Sequence, residues 1–367
     1  MPRPIRAIIH QNALAHNLQI ARKHASQHEV FAVVKANAYG HGIERVYPAL
    51  KTADGFALLD IDEAKRLRAL GWTGPILLLE GIFSAQDLFD CTAYQLSFSL
   101  HSEIQAKWVR QHPEPAQFDI FLKMNSGMNR LGFQPQHYRE IWQSLRSCNT
   151  VNSLTHMMHF SDADGERLGQ SGIEVQLKIF EDTVQDLPGE RSICNSAAIL
   201  RHGSQLTSKT VRAGILLYGS SPDFPQHSIQ DWNLQPSMSL RSEIIAIQDL
   251  QPMQTVGYGS TFQAEQAMKI GIVACGYADG YQRISATGTP VLVNGIRTRT
   301  TGRVSMDMLS VDVTEIADAV IGSEVVLWGK SRSGTILPID EVAATSDTVG
   351  YELMCGVTAR VPFFIEA

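Results

Sequence analysis

The segment GFALLDIDEAKRLRALG (residues 55–71) contains a short apolar run followed by an amphipathic stretch. The run GFALLD (55–60) has the length and apolar character of a buried strand. Asp60 is then expected to cap a helix with Glu63 at N3, which is the spacing of a capping box. An apolar stripe follows, and Gly71 is expected to end the helix. The segment is therefore predicted to form one strand–helix unit.

The same alternation recurs over the first two thirds of the chain. The other apolar runs are FAVVK (31–35), ILLLE (76–80), YQLSFS (94–99), FDIFLKM (118–124), SLTHMMHF (153–160), RSICNS (191–196) and VRAGILLYG (211–219). Eight buried strands that alternate with helices over about 220 residues predict an α/β fold, a (β/α)8 TIM-type barrel. Periodicity alone leaves an open, doubly wound sheet as the alternative.

The texture of the sequence changes after residue 233. Short β-type segments follow, bounded by Gly, Pro or Asn, among them RSEIIAIQDL, KIGIVACG, TPVLVNG, RVSMDMLSVDV and EVVLWG. We therefore expect a barrel over residues 1–233 and a mostly β domain over residues 234–367. Because active sites of such barrels lie at the carboxyl ends of the strands, residues at those ends are the first candidates for function.

Composition excludes several classes of protein. The 367 residues include 31 Lys+Arg and 37 Asp+Glu, a net charge of −6, with 44% hydrophobic and 19% charged residues, which is typical of a globular protein. Mild acidity without a Lys/Arg block argues against binding to nucleic acid or a membrane surface. No apolar run approaches the ~20 residues of a membrane span, and no secretory signal is visible. Five scattered cysteines without CxxC spacing suggest reduced thiols in a cytoplasmic protein.

Lys35 ends the apolar run FAVVK and precedes ANAYGHG. Its aliphatic stem could simply extend along the barrel mouth towards solvent. Alternatively, it is a Schiff-base lysine, which requires desolvated and partly cationic surroundings to lower its pKa. Gly40 and Gly42 would allow the backbone to approach a ligand closely. No G-x-G-x-x-G or Walker A sequence occurs, so a nucleotide cofactor is not indicated.

FAVVKANAYGHG (31–42) resembles the segment of the alanine racemase family that carries the pyridoxal phosphate lysine. Further matching segments are LKMNSGMNRLGF (122–133), THMMHF (155–160), CNSAA (194–198), VRAGILLYGSSP (211–222), VGYGSTF (256–262), ACGYADGYQR (274–283), GRVSMDM (302–308) and YELMCGVTARVP (351–362). Because they recur in order over nearly the whole chain, the resemblance is specific. It implies a barrel followed by a β domain, pyridoxal 5'-phosphate as cofactor, and a homodimer with shared active sites.

The resemblance implies two catalytic residues. Lys35 would carry the cofactor and act as one base, and Tyr258 in VGYG resembles the second base, supplied by the partner subunit. Racemisation removes a proton from one face of Cα and returns one to the other face, so two opposed groups are the simplest arrangement. Since the reference pKa of tyrosine is about 10, Tyr258 would need a lowered pKa or a cationic network to act as a base.

Arg212 resembles the arginine that faces the pyridine nitrogen of the cofactor. A guanidinium can only donate hydrogen bonds, so Arg212 should keep that nitrogen unprotonated and favour racemisation over transamination. His159 resembles the histidine packed against the cofactor ring. The other cofactor contacts implied by the resemblance are Tyr39, Asn195, Ser196, Gly214, Ile215 and Tyr351. Asn195 followed by Ser196 is also a helix-start signal. His156-x-x-His159 has no third ligand, so no metal is expected.

On the substrate side, Arg130 resembles the arginine near the substrate carboxylate. Lys123 matches a lysine that is often carbamylated in the family. Many relatives read K-x-D-[ST]-G-M, whereas this chain has Asn125, which removes a negative charge near Lys123. Met306 resembles the residue whose backbone N–H helps to hold the substrate carboxylate. Tyr277 resembles a residue of the narrow substrate entrance, which would limit the substrate side chain to about the size of a methyl group.

The resemblance therefore implies a cytoplasmic isomerase that interconverts L- and D-alanine, either to supply D-alanine for cell-wall peptidoglycan or for alanine catabolism. A broad-specificity amino-acid racemase is one alternative, although such enzymes are often exported. A non-catalytic pyridoxal phosphate carrier is a second, although such proteins resemble the barrel alone. A decarboxylase of the same fold type is a third, but it would favour a protonated pyridine, against which Arg212 argues.

Overall fold

The computed structural model describes residues 3–113, 115–167 and 169–366. The first part of the chain contains β1 (Arg6–His10), α1 (Gln11–His24), β2 (Glu29–Val33), α2 (Lys35–Tyr39), α3 (Ile43–Leu50), β3 (Gly55–Leu58), α4 (Ile61–Ala69), β4 (Ile76–Leu78), α5 (Asp87–Ala93), β5 (Ser97–Leu100), α6 (Glu103–Gln111), β6 (Phe118–Lys123), α7 (Pro135–Arg146), β7 (Val151–Met157), β8 (Glu166–Arg167), β9 (Gln170–Ser171), α8 (Glu174–Val184), β10 (Glu190–Ser192), α9 (Ser196–His202) and β11 (Thr210–Ala213).

The second part is mostly β structure, as predicted. It contains β12 (Met238–Leu250), β13 (Thr255–Val256), β14 (Phe262–Gln263), β15 (Met268–Val273), β16 (Pro290–Val293), β17 (Ile296–Thr301), β18 (Leu309–Asp312), β19 (Glu324–Lys330), β20 (Ile336–Leu337), α10 (Ile339–Ala344), α11 (Gly350–Gly356) and β21 (Phe363–Glu366).

Within the described residues, eight strands form a parallel sheet in the order β10-β7-β6-β5-β4-β3-β2-β11. Its two edge strands meet. The Lys209 N–H donates to the Arg191 carbonyl at 2.8 Å, and the Arg212 N–H donates to the Cys194 carbonyl at 3.0 Å. The sheet is therefore a nearly closed barrel, which confirms the predicted architecture over the open sheet.

The second sheet has the strand order β20-β19-β16-β17-β18-β15-β12-β1-β21. Its member β1 precedes the barrel in sequence, yet it pairs antiparallel with β12 and parallel with β21. The first strand of the segment assigned to the barrel thus belongs to the second sheet. The division at residues 233 and 234 stays a prediction.

The strand–helix unit at residues 55–71 forms as predicted. The Asp60 carboxylate accepts the N–H of Asp62 at 2.9 Å and caps α4. Gly71, with φ of +91°, follows the last turn of the helix, where a residue with a Cβ would be strained. Glu63 occupies N3, but its carboxylate accepts the backbone N–H of Asn37, outside the helix.

The barrel strands are apolar and buried. Every residue of β3 and β4 is buried, as expected for parallel strands that are covered by helices. The polar residues that follow the strands are thereby placed together at the carboxyl end of the barrel. Among the described residues, no helix combines the length and the apolar character that a membrane crossing needs.

Candidate active site

A cavity of about 380 Å³ opens at the carboxyl ends of the barrel strands. Most of the site residues predicted from the sequence line it: Lys35, Tyr39, Lys123, Arg130, His159, Asn195, Ser196, Arg212, Gly214, Ile215 and Tyr351. They are spread over more than three hundred positions of the chain, so the barrel topology, not sequence proximity, brings them together. The cavity combines several cations with hydroxyl groups, which favours an anionic ligand.

Lys35 lies two residues beyond Val33, the last residue of β2. Its side chain is half-buried at the cavity wall. Burial lowers the pKa of Lys35 and the charge of Arg130 lowers it further, while the carboxylate of Glu80 acts in the opposite direction. A lysine in such surroundings is more often a neutral amine than a surface lysine is, as a nucleophile or base requires.

Arg212 lies on β11 and is buried. Its Nη1 donates to the carbonyl of Ser192 at 2.6 Å and to the hydroxyl of the same residue at 2.7 Å, and its Nη2 donates to the Met158 carbonyl at 2.8 Å. Burial lowers the pKa of Arg212 to about 10. The guanidinium therefore stays charged at neutral pH and is held in one orientation by neutral oxygens.

His159 lies beside this guanidinium, with its Nδ1 3.4 Å from Nη2 of Arg212. Burial and the charge of Arg212 lower the pKa of His159 well below its ordinary value. The imidazole is therefore neutral at physiological pH. The Asn195 side chain is held by two hydrogen bonds. Its Nδ2 donates to the Phe160 carbonyl at 3.1 Å, and its Oδ1 accepts the N–H of Ala198 and caps α9. The helix start predicted at Asn195 is confirmed.

A small cradle lies around Gly214. The Ser196 hydroxyl accepts the Gly214 N–H at 2.9 Å. A Cβ on residue 214 would lie 2.8 Å from the Tyr39 hydroxyl and 3.6 Å from that of Ser196. The rings of Tyr39 and Tyr351 are 5.7 Å apart, and burial raises the pKa of both phenols, so both remain neutral donors. The cradle thus offers hydroxyl donors around space that a side chain at residue 214 would occupy.

Lys123 ends β6 and is buried at the cavity floor. Burial lowers its pKa to about 8, helped by the charges of Arg212 and Arg130 and opposed by that of Glu80. A substantial fraction of the Lys123 amine is therefore neutral near physiological pH. This is the protonation state in which a lysine can react with carbon dioxide.

Asn125, at which the sequence departs from the expected pattern K-x-D-[ST]-G-M, organises the turn between Lys123 and Arg130. Its Oδ1 accepts the N–H groups of Gly127 at 3.2 Å and Asn129 at 3.0 Å. An aspartate could accept the same two bonds, so the amide preserves the shape of the turn without its charge. The departure from the family pattern thus alters charge more than geometry.

Three predicted site residues lie elsewhere. Of the described residues that line the cavity, none is Tyr258, Tyr277 or Met306. All three lie on the β domain with exposed side chains, and Tyr258 is 69% exposed. Tyr277 and Met306 nevertheless lie close together on the β domain, because the N–H of Tyr277 donates to the Ser305 carbonyl and the N–H of Ala278 donates to the Met306 carbonyl, both at 3.0 Å. A single chain therefore does not assemble the whole predicted site.

Glu80 also lines the cavity, although it was not among the residues predicted from the sequence. Glu80 ends the run ILLLE just as Lys35 ends FAVVK, so the same strand-end argument could have identified it. Ser161 and Asp164 also line the cavity. They lie in the irregular segment after β7, where no sequence pattern singled them out.

Two family models match the chain: "Alanine racemase, N-terminal domain" over residues 9–222 and "Alanine racemase, C-terminal domain" over residues 237–365. The chain belongs to the alanine racemase family. The alanine racemase of Acinetobacter baumannii (strain SDF) is 70% identical to it over 363 residues, which cover 99% of each protein. That of Polaromonas sp. (strain JS666) is 57% identical over the whole of both.

Solved structures agree. The biosynthetic alanine racemase from Pseudomonas aeruginosa matches this racemase with a TM-score of 0.93 and 41% identity over the full length of both chains. The alanine racemase from Acinetobacter baumannii matches with a TM-score of 0.91 and 34% identity over 99% of this chain and all of that one. The predicted family, fold and enzyme class are therefore confirmed: the racemase is an isomerase that racemises alanine.

Proposed function

We propose that this racemase interconverts L- and D-alanine with pyridoxal 5'-phosphate as its cofactor, and that Lys35 and Tyr258 move the proton at Cα. One observation carries the proposal: a single cavity is lined by a lysine of lowered pKa, a fixed arginine, a neutral histidine and a cradle of hydroxyl donors. These are the groups needed to hold an anionic, aromatic, carbonyl-bearing cofactor.

The residues present fit this cofactor. The cradle at Gly214 has room that even a Cβ would reduce, and its donors suit a phosphate group. Lys35 would hold the cofactor covalently, and His159 and Asn195 would lie beside its ring. The phosphate would be held by Tyr39, Ser196, Gly214, Ile215 and Tyr351. When bound, the cofactor withdraws electrons from the amino acid and makes the proton on Cα acidic.

Arg212 selects the type of reaction in this proposal. Its guanidinium is fixed by Ser192 and Met158, so it can present a donor to the pyridine nitrogen without transferring a proton. By leaving that nitrogen unprotonated, Arg212 would limit how strongly the bound cofactor draws electron density away from Cα. This would favour return of the proton to Cα over transamination.

Two bases on opposite faces of Cα account for racemisation. Lys35 serves one face as a neutral amine, and Tyr258 serves the other. Tyr258 is exposed and does not line the cavity of its own chain. It reaches a cavity only if a second copy of the chain supplies it, so the proposal includes a homodimer with shared active sites. Nucleic acids and membranes are not part of it.

Other groups would hold and select the substrate. Arg130 carries a positive charge at the cavity and pairs with the alanine carboxylate, together with the backbone N–H of Met306 from the partner. A carbamate on Lys123 would convert that cation into an anion that orients Arg130. Tyr277 from the partner would narrow the entrance and restrict substrates to small side chains.

Deuterium exchange tests the proposal. The cofactor-loaded protein is incubated with L-alanine in heavy water, and exchange of the α-proton is followed by NMR together with optical activity. Exchange with falling optical activity is expected. A protein that binds the cofactor but does not exchange the proton would be a carrier instead. Equal rates with serine would contradict a pocket selective for alanine.

We further propose that the enzyme works in the cytoplasm, where it supplies D-alanine for peptidoglycan or serves alanine catabolism. All five cysteines are free, which suits a reducing compartment.

A further inference from the structure

The short element α2 is not a right-handed helix, because the chain reverses its usual handedness directly after Lys35. The backbone angles (φ, ψ) are 54° and 50° at Ala36, 52° and 49° at Asn37, and 56° and 55° at Ala38. Tyr39 continues the turn with φ of 50°. None of these residues is glycine, and left-handed backbone is unfavourable for residues that carry a Cβ. Surrounding contacts must therefore hold this turn in place.

Glu63 makes one such contact from the first turn of α4. Its Oε1 accepts the N–H of Asn37 at 2.5 Å, in the middle of the left-handed turn. The residue is only 9% exposed, and its Oε2 has no hydrogen-bond partner in the part of the chain that the structure describes. A buried carboxylate with one partner is costly to keep, and burial raises the pKa of Glu63.

The helix does not require this carboxylate. Asp60 already caps α4 by accepting the N–H of Asp62. The spacing from Asp60 to Glu63 is that of a capping box, but Glu63 extends to Asn37 instead. The cost of its burial is thus offset by a contact with the turn and not by a contact within its own helix.

A second residue of α4 holds Asn37 by its side chain. Nη2 of Arg66 donates to Oδ1 of Asn37 at 2.7 Å, and the N–H of Ile43 donates to the same oxygen at 3.2 Å. Glu44 orients Arg66 in turn, because its Oε1 accepts a hydrogen bond from Nε of Arg66 at 2.7 Å. Backbone and side chain of Asn37 are thus both fixed, two residues beyond Lys35.

We propose that Glu63 is a positioning residue, which holds the left-handed turn at Asn37 and thereby the direction in which Lys35 enters the cavity. The proposal rests on the proposed function, in which Lys35 carries the cofactor. In addition, the rigidity of this turn sets the position of the Lys35 amine relative to the rest of the site. Glu63 acts through the turn and touches neither cofactor nor substrate.

The test compares Glu63→Leu, which removes the acceptor, with Glu63→Gln, which keeps an oxygen that can accept from Asn37. The control is Glu103→Leu, since Glu103 is an exposed residue in the first turn of α6. Each protein is loaded with pyridoxal phosphate. We measure the pH at which its absorbance titrates, the fraction of cofactor fixed to Lys35 by borohydride, kcat and KM for L-alanine, and the unfolding temperature.

In Glu63→Leu we expect a shifted absorbance titration, a smaller fixed fraction and a kcat at least about tenfold lower, with KM changed less than about twofold. Glu63→Gln should recover most of this, and Glu103→Leu should match the wild type. Replacing Ala36 with glycine, which tolerates a positive φ, should partly restore Glu63→Leu. A change in unfolding temperature alone would overturn the proposal.

If Glu63→Leu does not fold, Glu63→Asp decides, because it keeps the charge but withdraws the oxygen from Asn37. The same spectral shift is expected, and a wild-type titration would reject the positioning role. A wild-type protein whose Lys35 is not fixed by borohydride would instead contradict the proposed function itself, so the two failures are distinguishable.

Discussion

Nη1 of Arg212 donates to both oxygens of Ser192, the carbonyl at 2.6 Å and the hydroxyl at 2.7 Å. One arginine nitrogen thus holds a main-chain and a side-chain acceptor of the neighbouring strand β10. The arrangement fixes the plane of a buried guanidinium without a carboxylate partner among the described residues. Arg212 therefore keeps its full positive charge for whatever lies in the cavity.

Replacing Arg212 with lysine should lower kcat by at least about tenfold, because an ammonium cannot reproduce the planar fork to Ser192 and Met158. A buried ammonium can also give up its proton, so transamination should rise relative to racemisation. The measurement is pyruvate released per alanine racemised. Arg191→Lys is the control, since Arg191 pairs with Glu181 outside the cavity. An unchanged ratio would contradict the proposed role of Arg212.

Replacing Gly214 with alanine should weaken cofactor binding. The new Cβ would lie 2.8 Å from the hydroxyl of Tyr39, whose ring is packed against Tyr218 and has little room to move. We expect the Kd for pyridoxal phosphate to rise at least about tenfold, by titration of the apo protein. Gly165→Ala is the control, because among the described residues, its two chain neighbours aside, no atom lies within 4 Å of a Cβ placed on Gly165. Equal Kd values for both variants would reject the phosphate cradle.

Much of the fold could be predicted because it depends on local patterns. The strand–helix unit at residues 55–71 has the cap at Asp60 and the stop at Gly71 that the residue types indicated. Strand β17 was missed because its sequence IRTRTT has no apolar run. The left-handed turn after Lys35 was also missed. Glycines such as Gly40 and Gly42 indicate positive φ values in a sequence, whereas Ala36 and its neighbours do not.

The predicted site residues meet in the structure as far as one chain builds the site. Strand-end position and family resemblance led to residues that do meet in the cavity, such as Lys35 and Arg212. The partner of Glu63 could not be foreseen, because the capping-box spacing and the contact with Asn37 compete for the same carboxylate. Tyr258 lies outside the cavity of its own chain. The sequence pattern around Tyr258 does not indicate a second copy of the chain, and only the family resemblance implied one.

Lys123 should make stability depend on pH. Its pKa is lowered from 10.5 to about 8, so below pH 8 the folded protein buries a charged lysine. Between pH 8 and 10.5 the unfolded chain binds more protons than the folded chain, so stability rises with pH over this window.

Lys123→Met removes this penalty and should stabilise the apo protein by about 3 kcal/mol at pH 7, a gain that disappears towards pH 10.5. Urea unfolding in bicarbonate-free buffer measures it. Lys178→Met, at an exposed ion pair with Asp182, is the control and should show little change. A gain for Lys123→Met that is the same at every pH would contradict the buried charge.

Lys35 and Tyr258 of one site should come from different chains. Lys35→Ala and Tyr258→Phe are each expected to be nearly inactive as homodimers, and Tyr258→Phe should suppress proton exchange mainly from L-alanine. If the two variants are mixed and allowed to exchange subunits, about half of the dimers are heterodimers, each with one site that has both residues intact. Activity should then recover to about a quarter of the wild-type value.

The contrary arrangement predicts a different result. If both residues of a site came from one chain, every mixed dimer would lack one of them at each site, and no activity would return. The recovered activity is therefore measured as a function of subunit exchange, with sedimentation to follow the dimer, and its return or absence decides between the two arrangements.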